Sequence, residues 1–227
     1  MTVTPSFLIR AAGVAAVASG AIFIGVQINH PTFDLTSITT TEVVIRDALK
    51  VLMAVLGLVG ITGMYLSQVR RNGVLGLIGY LLLATGYLII MSTTFAATFV
   101  LPSIAGTDPS YVRDVLAVFI GNTATGDIGL LSVVFQVQGL CYLAGGLVFG
   151  VALYRARVLA RWATVLLAVS GIVSAALAVL PDAFYRLLAY PNGIALIGLG
   201  YSLWRVQGRA ADQTVVTAEA RPEDAAV

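Results

Sequence analysis

Six apolar stretches separated by short polar segments occupy most of the chain: Ser6–Gln27, Ala48–Gln68, Val74–Leu101, Ile128–Tyr154, Ala160–Leu180 and Leu187–Val206. A helix needs about 20 predominantly apolar residues, at about 1.5 Å rise each, to cross the hydrocarbon core of a bilayer. Each stretch meets that length. The pattern predicts an all-α fold class, a polytopic transmembrane bundle of six helices. The first stretch could instead be a signal peptide, because Ala15 to Ala21 is rich in small residues. Arg10 is its only early positive charge and no compelling cleavage site follows, so it is read as a span.

The segments between the stretches carry their own signals. Asp108-Pro109 reads as an N-cap followed by proline at the first helical position. Val112, Val115, Leu116 and Phe119 then recur at helical spacing, with Arg113 and Asp114 facing away and Gly121-Asn122 closing the segment. A short amphipathic helix over 108–120 is expected, lying on the outer membrane surface or capping the bundle. Thr39 with Glu42 forms a capping box, so the second helix should begin before its apolar part. The inner loops, Val69–Gly73 and Arg155–Leu159, are tight. After Gly208 the apolar period stops. The domain reading is a six-helix transmembrane domain over 1–208 and a disordered cytoplasmic tail over 209–227.

Charge sets the orientation. Arg10, Arg70, Arg71, Arg155, Arg157, Arg161, Arg205, Arg209 and Arg221 fall on one side of the spans, and only Arg46, Lys50, Arg113 and Arg186 on the other. The second side also holds Asp34, Glu42, Asp47, Asp108, Asp114, Asp127 and Asp182. The positive-inside rule makes both termini cytoplasmic in a multi-pass protein of the cell membrane. Composition agrees: 59% of residues are hydrophobic and 11% charged, and the mean hydropathy is +0.95. Soluble domains carry about 25% charged residues. The net charge of +2 is too small and dispersed for a nucleic-acid partner.

Little in the chain points to catalysis. The single lysine, Lys50, lies at the end of a span, and the single histidine, His30, cannot supply two axial haem ligands. Neither a zinc motif nor a phosphate-binding glycine loop occurs. No carboxylate lies at the centre of a span, where proton-coupled transporters keep theirs. Cys141 has no partner for a disulfide. No cofactor and no metal are expected. The many glycines, among them Gly57, Gly60, Gly63 and the Gly146/Gly150 pair, predict close helix packing. They would also allow pairing with a second copy or a partner membrane protein.

The remaining polar residues sit asymmetrically in depth. Thr94 and Thr98 lie in the outer half of the third span, Gln136 and Gln138 in the outer half of the fourth, and Asn192 opens the sixth. His30, Asp47 and Asp127 flank the same side. Unsatisfied polar groups in hydrocarbon cost several kcal/mol, so these residues should bond to one another or line an outward-facing polar cavity. They form the candidate ligand cavity, with Gln136, Gln138, Thr94 and Thr98 expected to face one another.

Arg10 and Gly13 opening the first span, the turn Arg155–Arg161 before the fifth, and Leu203-Trp204 with Gly208 closing the sixth carry a resemblance over about Phe7 to Gly208. By these features the chain resembles a domain-of-unknown-function group of six-span bacterial integral membrane proteins frequent in actinobacteria. The group has an acidic residue in its last helix, whereas none occurs here between Asp182 and Asp212. The resemblance implies the architecture and no activity. The first functional reading is a structural or accessory membrane protein, a subunit of a larger assembly rather than an enzyme. The second is a carrier or binder of a small amphipathic molecule. The third is a membrane enzyme acting on a lipid or isoprenoid, with Asp47, Asp127 or His30 as acid–base groups. Membrane lipids are the expected partners in each.

Overall fold

The computed structural model describes residues 3–177 and 189–219, with side chains except at 174–177, 189 and 209–219. Among them, every regular element is helical. The order is α1 (Pro5–Gly25), a 3-10 turn (Ser37–Thr39), α2 (Thr41–Leu66), α3 (Val69–Phe99), α4 (Leu101–Ile104), α5 (Pro109–Phe119), α6 (Leu131–Ala156), α7 (Arg161–Leu177) and α8 (Ala189–Glu219). Among the described residues α1, α2, α3 and α6 are long and apolar enough to cross a membrane, and the apolar part of α7, Arg161–Val173, is shorter. The predicted end of the fifth span at Leu180, the start of the sixth at Leu187, and Asp182, Arg186 and Arg221 lie outside the described residues. The helix α8 continues past Gly208, where the sequence places the start of the tail.

Local chemistry sets the boundaries. Thr4 caps α1 by accepting the Phe7 amide at 3.2 Å, with Pro5 entering the first turn. Asp108 accepts the Tyr111 amide at 3.0 Å and Pro109 follows it, so α5 starts where predicted. For α2 the cap is Thr40, one residue after the expected Thr39; its hydroxyl accepts the Val43 amide at 3.4 Å. Thr39 instead bonds the Thr36 carbonyl. The predicted loop Val69–Gly73 shrinks to a turn at Ser67 and Gln68. Its residues are already helical up to Gly73, where φ of 57° and ψ of −157° bend the helix. Arg157, at φ 56°, ends α6 in the left-handed region.

The six long helices form a closed ring in the order α1, α2, α3, α6, α7, α8, with α8 returning to α1. Neighbours are antiparallel. Gly13 meets Gly200 while Gly20 meets Gly193, and Gly79 meets Phe149 while Gly86 meets Tyr142. At Gly13 an added Cβ would stand 2.8 Å from the Gly200 carbonyl, so the backbones approach closely, as small residues permit in hydrocarbon. Gly150 of the GxxxG pair faces Ala168 of α7 within the same chain. Ile61, Met64, Phe149, Leu153, Leu199 and Leu203 fill the middle of the ring. Outside, α3 exposes Val74, Leu81, Leu88 and Phe95 at seven-residue intervals, an apolar stripe suited to lipid.

The two ends of the ring differ. At one, the capped end, α5 packs Val112, Val115 and Leu116 on Ile38, Ala97, Leu101 and Ile128 to make a second small core. At the other, the arginine end, the α2–α3 and α6–α7 turns and the neighbouring part of α8 carry Arg70, Arg71, Arg155, Arg157, Arg161 and Arg205. Asp114 departs from expectation. The sequence turns it outward with Arg113, yet it is buried. It accepts bonds from the Thr125 amide and hydroxyl, both at 2.8 Å, and from the Gly126 amide at 3.0 Å. Helical periodicity assigns a face but cannot see a later loop folding back over it.

Candidate functional site

The expected outer residues separate into distinct groups at the capped end. The α1–α2 connection brings His30 to the first turns of α2. Asp47 is 1% exposed, and its Oδ1 lies 2.7 Å from Lys50 Nζ, although no hydrogen bond of good angle reaches that oxygen. Lys50 Nζ stands 2.8 Å from His30 Nε2 and 5.5 Å from the centre of the Phe33 ring. His30 Nδ1 is 2.8 Å from the Pro31 carbonyl. One neutral tautomer satisfies both contacts: Nδ1–H donates to the carbonyl and Nε2 accepts from the ammonium. Arg46, one helical turn before Lys50, donates to the Val26 and Ile28 carbonyls at 3.2 and 2.8 Å and pairs with Glu42. These groups close the end of α1 onto α2. The imidazole nitrogens are both committed, which leaves little scope for His30 as a base or ligand.

Deeper in the ring, Thr93 donates to Gln138 Oε1 at 2.9 Å. The interhelical pair between α3 and α6 exists, but through Thr93 rather than Thr94 or Thr98. Those two are buried, and the Thr98 hydroxyl returns to the Thr94 carbonyl at 2.7 Å. Gln136 is exposed on the outside of α6. Two residues apart on a helix, Gln136 and Gln138 point in nearly opposite directions, so only one can reach α3. Asn192 donates from Nδ2 to the Tyr142 hydroxyl, while its Oδ1 is buried and unpartnered. Tyr142 stands edge-on to Tyr87, with ring centres 5.6 Å apart. Asp127 is exposed and accepts the Gly129 amide at 2.7 Å. Among the described residues the eight candidates fall into separate groups. Asp47 and His30 meet at Lys50, while Gln138, Asn192 and Asp127 are held elsewhere.

Acidic groups of this end are tied down by donors. Asp114 is held below the ordinary carboxylate range, first by the Thr125 amide and hydroxyl. The Tyr111 amide and Ser110 hydroxyl do the same for Asp108. The Thr36 hydroxyl, the Ser37 amide and the Thr32 hydroxyl do so for Asp34. Each is an anion stabilised by hydrogen bonds to its charged form.

Two clefts open at the arginine end. One, of about 590 Å³, runs past Gln68, Arg70 and Arg71 between Leu66, Val158 and Val206. The other, of about 250 Å³, lies between Arg71, Asn72, Gly73, Ala152 and Arg155. Gln68 and Asn72 are each 5% exposed, yet Gln68 Oε1 and both Asn72 amide atoms lack a hydrogen-bond partner. A buried polar group left unbonded costs about 1–3 kcal/mol. Arg10, Arg161 and Arg205 each lie over an aromatic ring. Among the described residues, no ion pair or ring is recorded for Arg70, Arg71 or Arg155. Depth within the spans does not single out Gln68 and Asn72, which lie at a span end and in a connecting loop of the sequence pattern. The available signal was the run Gln68 to Gly73, with two amides around Arg70-Arg71 and a glycine at its close.

Comparison of the chain with family models, with curated proteins and with solved structures finds no match.

Proposed function

We propose that the chain is an integral membrane protein that crosses the bilayer six times, with both termini cytoplasmic and the capped end outside. The six-span resemblance adds a bacterial inner membrane as its place. Its role in this reading is structural or accessory, as a subunit of a membrane assembly. The observation that carries it is the filled interior: Phe149, Leu153, Leu199 and Leu203 are fully buried along the ring, and the Thr93 hydroxyl donates across to Gln138 Oε1. A bundle of that kind holds its shape without offering a polar path.

Cysteine labelling in intact cells tests the topology. An impermeant thiol reagent is expected to label Ser110→Cys and to spare Gln207→Cys; the reverse pattern would overturn the orientation. For the role, native mass spectrometry of the purified chain is expected to show lipid adducts alone. A co-extracted small molecule other than lipid would overturn the accessory reading in favour of a carrier. The second reading, a binder of an amphipathic molecule, gains support from one observation, the pair of clefts at the arginine end.

A further inference from the structure

We infer that the two clefts at the arginine end form one binding site for the phosphodiester headgroup of an anionic phospholipid, held by Arg71 and Arg155 and oriented by the Asn72 amide. The inference rests on the reading of the chain as membrane-embedded, but not on which side the arginine end faces. Arg71 lines both clefts, so the two share a wall. Charge and hydrogen-bonding capacity are both present there. Arg71 and Arg155 are exposed and no ion pair is recorded for either among the described residues. A guanidinium presents a planar fork of N–H donors that matches phosphate oxygens. Asn72, 95% buried on a 5% exposure, lines the smaller cleft with its amide nitrogen unused. An amide donor and two arginines suit an anion with several acceptor oxygens.

The surroundings select lipid over a free anion. Leu66, Val158 and Val206 line the larger cleft, and Val74, which lines the smaller one, is 73% exposed on the lipid-facing stripe of α3. Apolar walls beside unpaired cations fit an acyl chain joined to a phosphate, and basic pockets between membrane helices bind such headgroups. Gly73 contributes the geometry. Its positive φ kinks α3 at the residue between Asn72 and Val74, and a side chain there would be strained.

The test uses the full chain, purified in a neutral detergent and titrated with dioleoyl phosphatidylglycerol or dioleoyl phosphatidylcholine, with bound lipid counted by native mass spectrometry. The expected result is preferential retention of phosphatidylglycerol. Replacing Arg71→Gln and Arg155→Gln together should weaken that lipid by about ten-fold or more, since two charge-assisted contacts are lost. Arg157→Gln removes one charge from the same end without lining either cleft and should leave retention within about two-fold of the parent. All three positions are exposed, so melting temperature should hold and folding does not confound the comparison. Equal retention of the two lipids overturns the proposal, as does an equal loss in Arg157→Gln, which would mean diffuse attraction to the basic end. Inorganic phosphate alone should not raise the melting temperature; if it does so as strongly as phosphatidylglycerol, the site takes a free anion and the lipid assignment falls. Inverted topology in cells would leave all of these outcomes unchanged, so failure of the site and failure of the orientation are separable.

Discussion

At the capped end, Asp114 accepts three hydrogen bonds, Thr93 holds Gln138, and Lys50 is shared by Asp47 and His30. At the arginine end, Gln68 and Asn72 are buried and leave three amide atoms without partners, against two oxygens, one each of Asp47 and Asn192, at the capped end. The cations differ in the same way. Arg46 and Lys50 are committed to carbonyls, a carboxylate and an imidazole, while Arg71 and Arg155 face a cleft. Buried polar groups that satisfy one another stiffen a fold, whereas buried polar groups with spare capacity mark a place where something else can bind. Polarity by itself is therefore a poor guide to a site in a membrane bundle. Unspent hydrogen-bonding capacity is the better one.

The comparison depends on a common frame, and breaking that frame has the largest expected effect. Gly20→Leu should collapse the α1–α8 contact, because a side chain there meets the Gly193 carbonyl and Ile197. Forced overpacking of this kind costs about 3 kcal/mol, read as early loss of the monodisperse peak on heating in detergent. An unchanged melting temperature would refute the close approach of the two helices.

Lys50→Met should cost about 2 kcal/mol. Removing one member of a buried pair costs about 3–5 kcal/mol, reduced here because Lys50 is partly solvent-exposed. Asp47→Leu together with Lys50→Met should recover part of the loss, since no buried charge is then stranded. Denaturant titration of the single and double variants checks this; a double variant worse than the sum would count against the ion pair.

A smaller pair of effects contrasts the two ends directly. Gln138→Leu should cost about 1 kcal/mol, because it removes the partner of Thr93. Asn72→Ala should be neutral or stabilising by about 1 kcal/mol without lipid, because it removes an amide that is desolvated and unbonded. If Asn72→Ala destabilises as much as Gln138→Leu, the two ends are alike and the contrast fails.

The smallest effect is an acid sensitivity confined to one end. The folded-state pKa of Asp114 and of Asp108 is depressed below the ordinary 3.8. Their stabilisation is therefore fully present above that value and is lost as pH falls through the lower folded-state values. Amide hydrogen exchange at about pH 3 should quicken across α5 and residues 121–129 relative to α3 and α6, after correction for intrinsic rates. Uniform protection along the chain would sink this expectation.

Long apolar runs made the helices legible, because a backbone in hydrocarbon has to satisfy its own hydrogen bonds. Asp108-Pro109 with the 112/115/116/119 stripe determined α5 to within a residue, since capping and helical periodicity are local chemistry. The shared depth of polar groups on α3 and α6 also followed from counting residues along each helix. Tertiary structure alone decided which threonine meets Gln138, because a rotation of about 100° separates Thr93 from Thr94 and only packing sets it. It also buried Asp114 beneath Thr125 and Gly126, a contact that a helical wheel cannot contain. The smaller cleft at the arginine end lies where α3 bends at Gly73 beside Ala152 and Arg155 of α6, a juxtaposition of residues about 80 positions apart that only packing makes. Sequence assigns a residue its depth and its face; whether its hydrogen bonds are already spent depends on neighbours far along the chain.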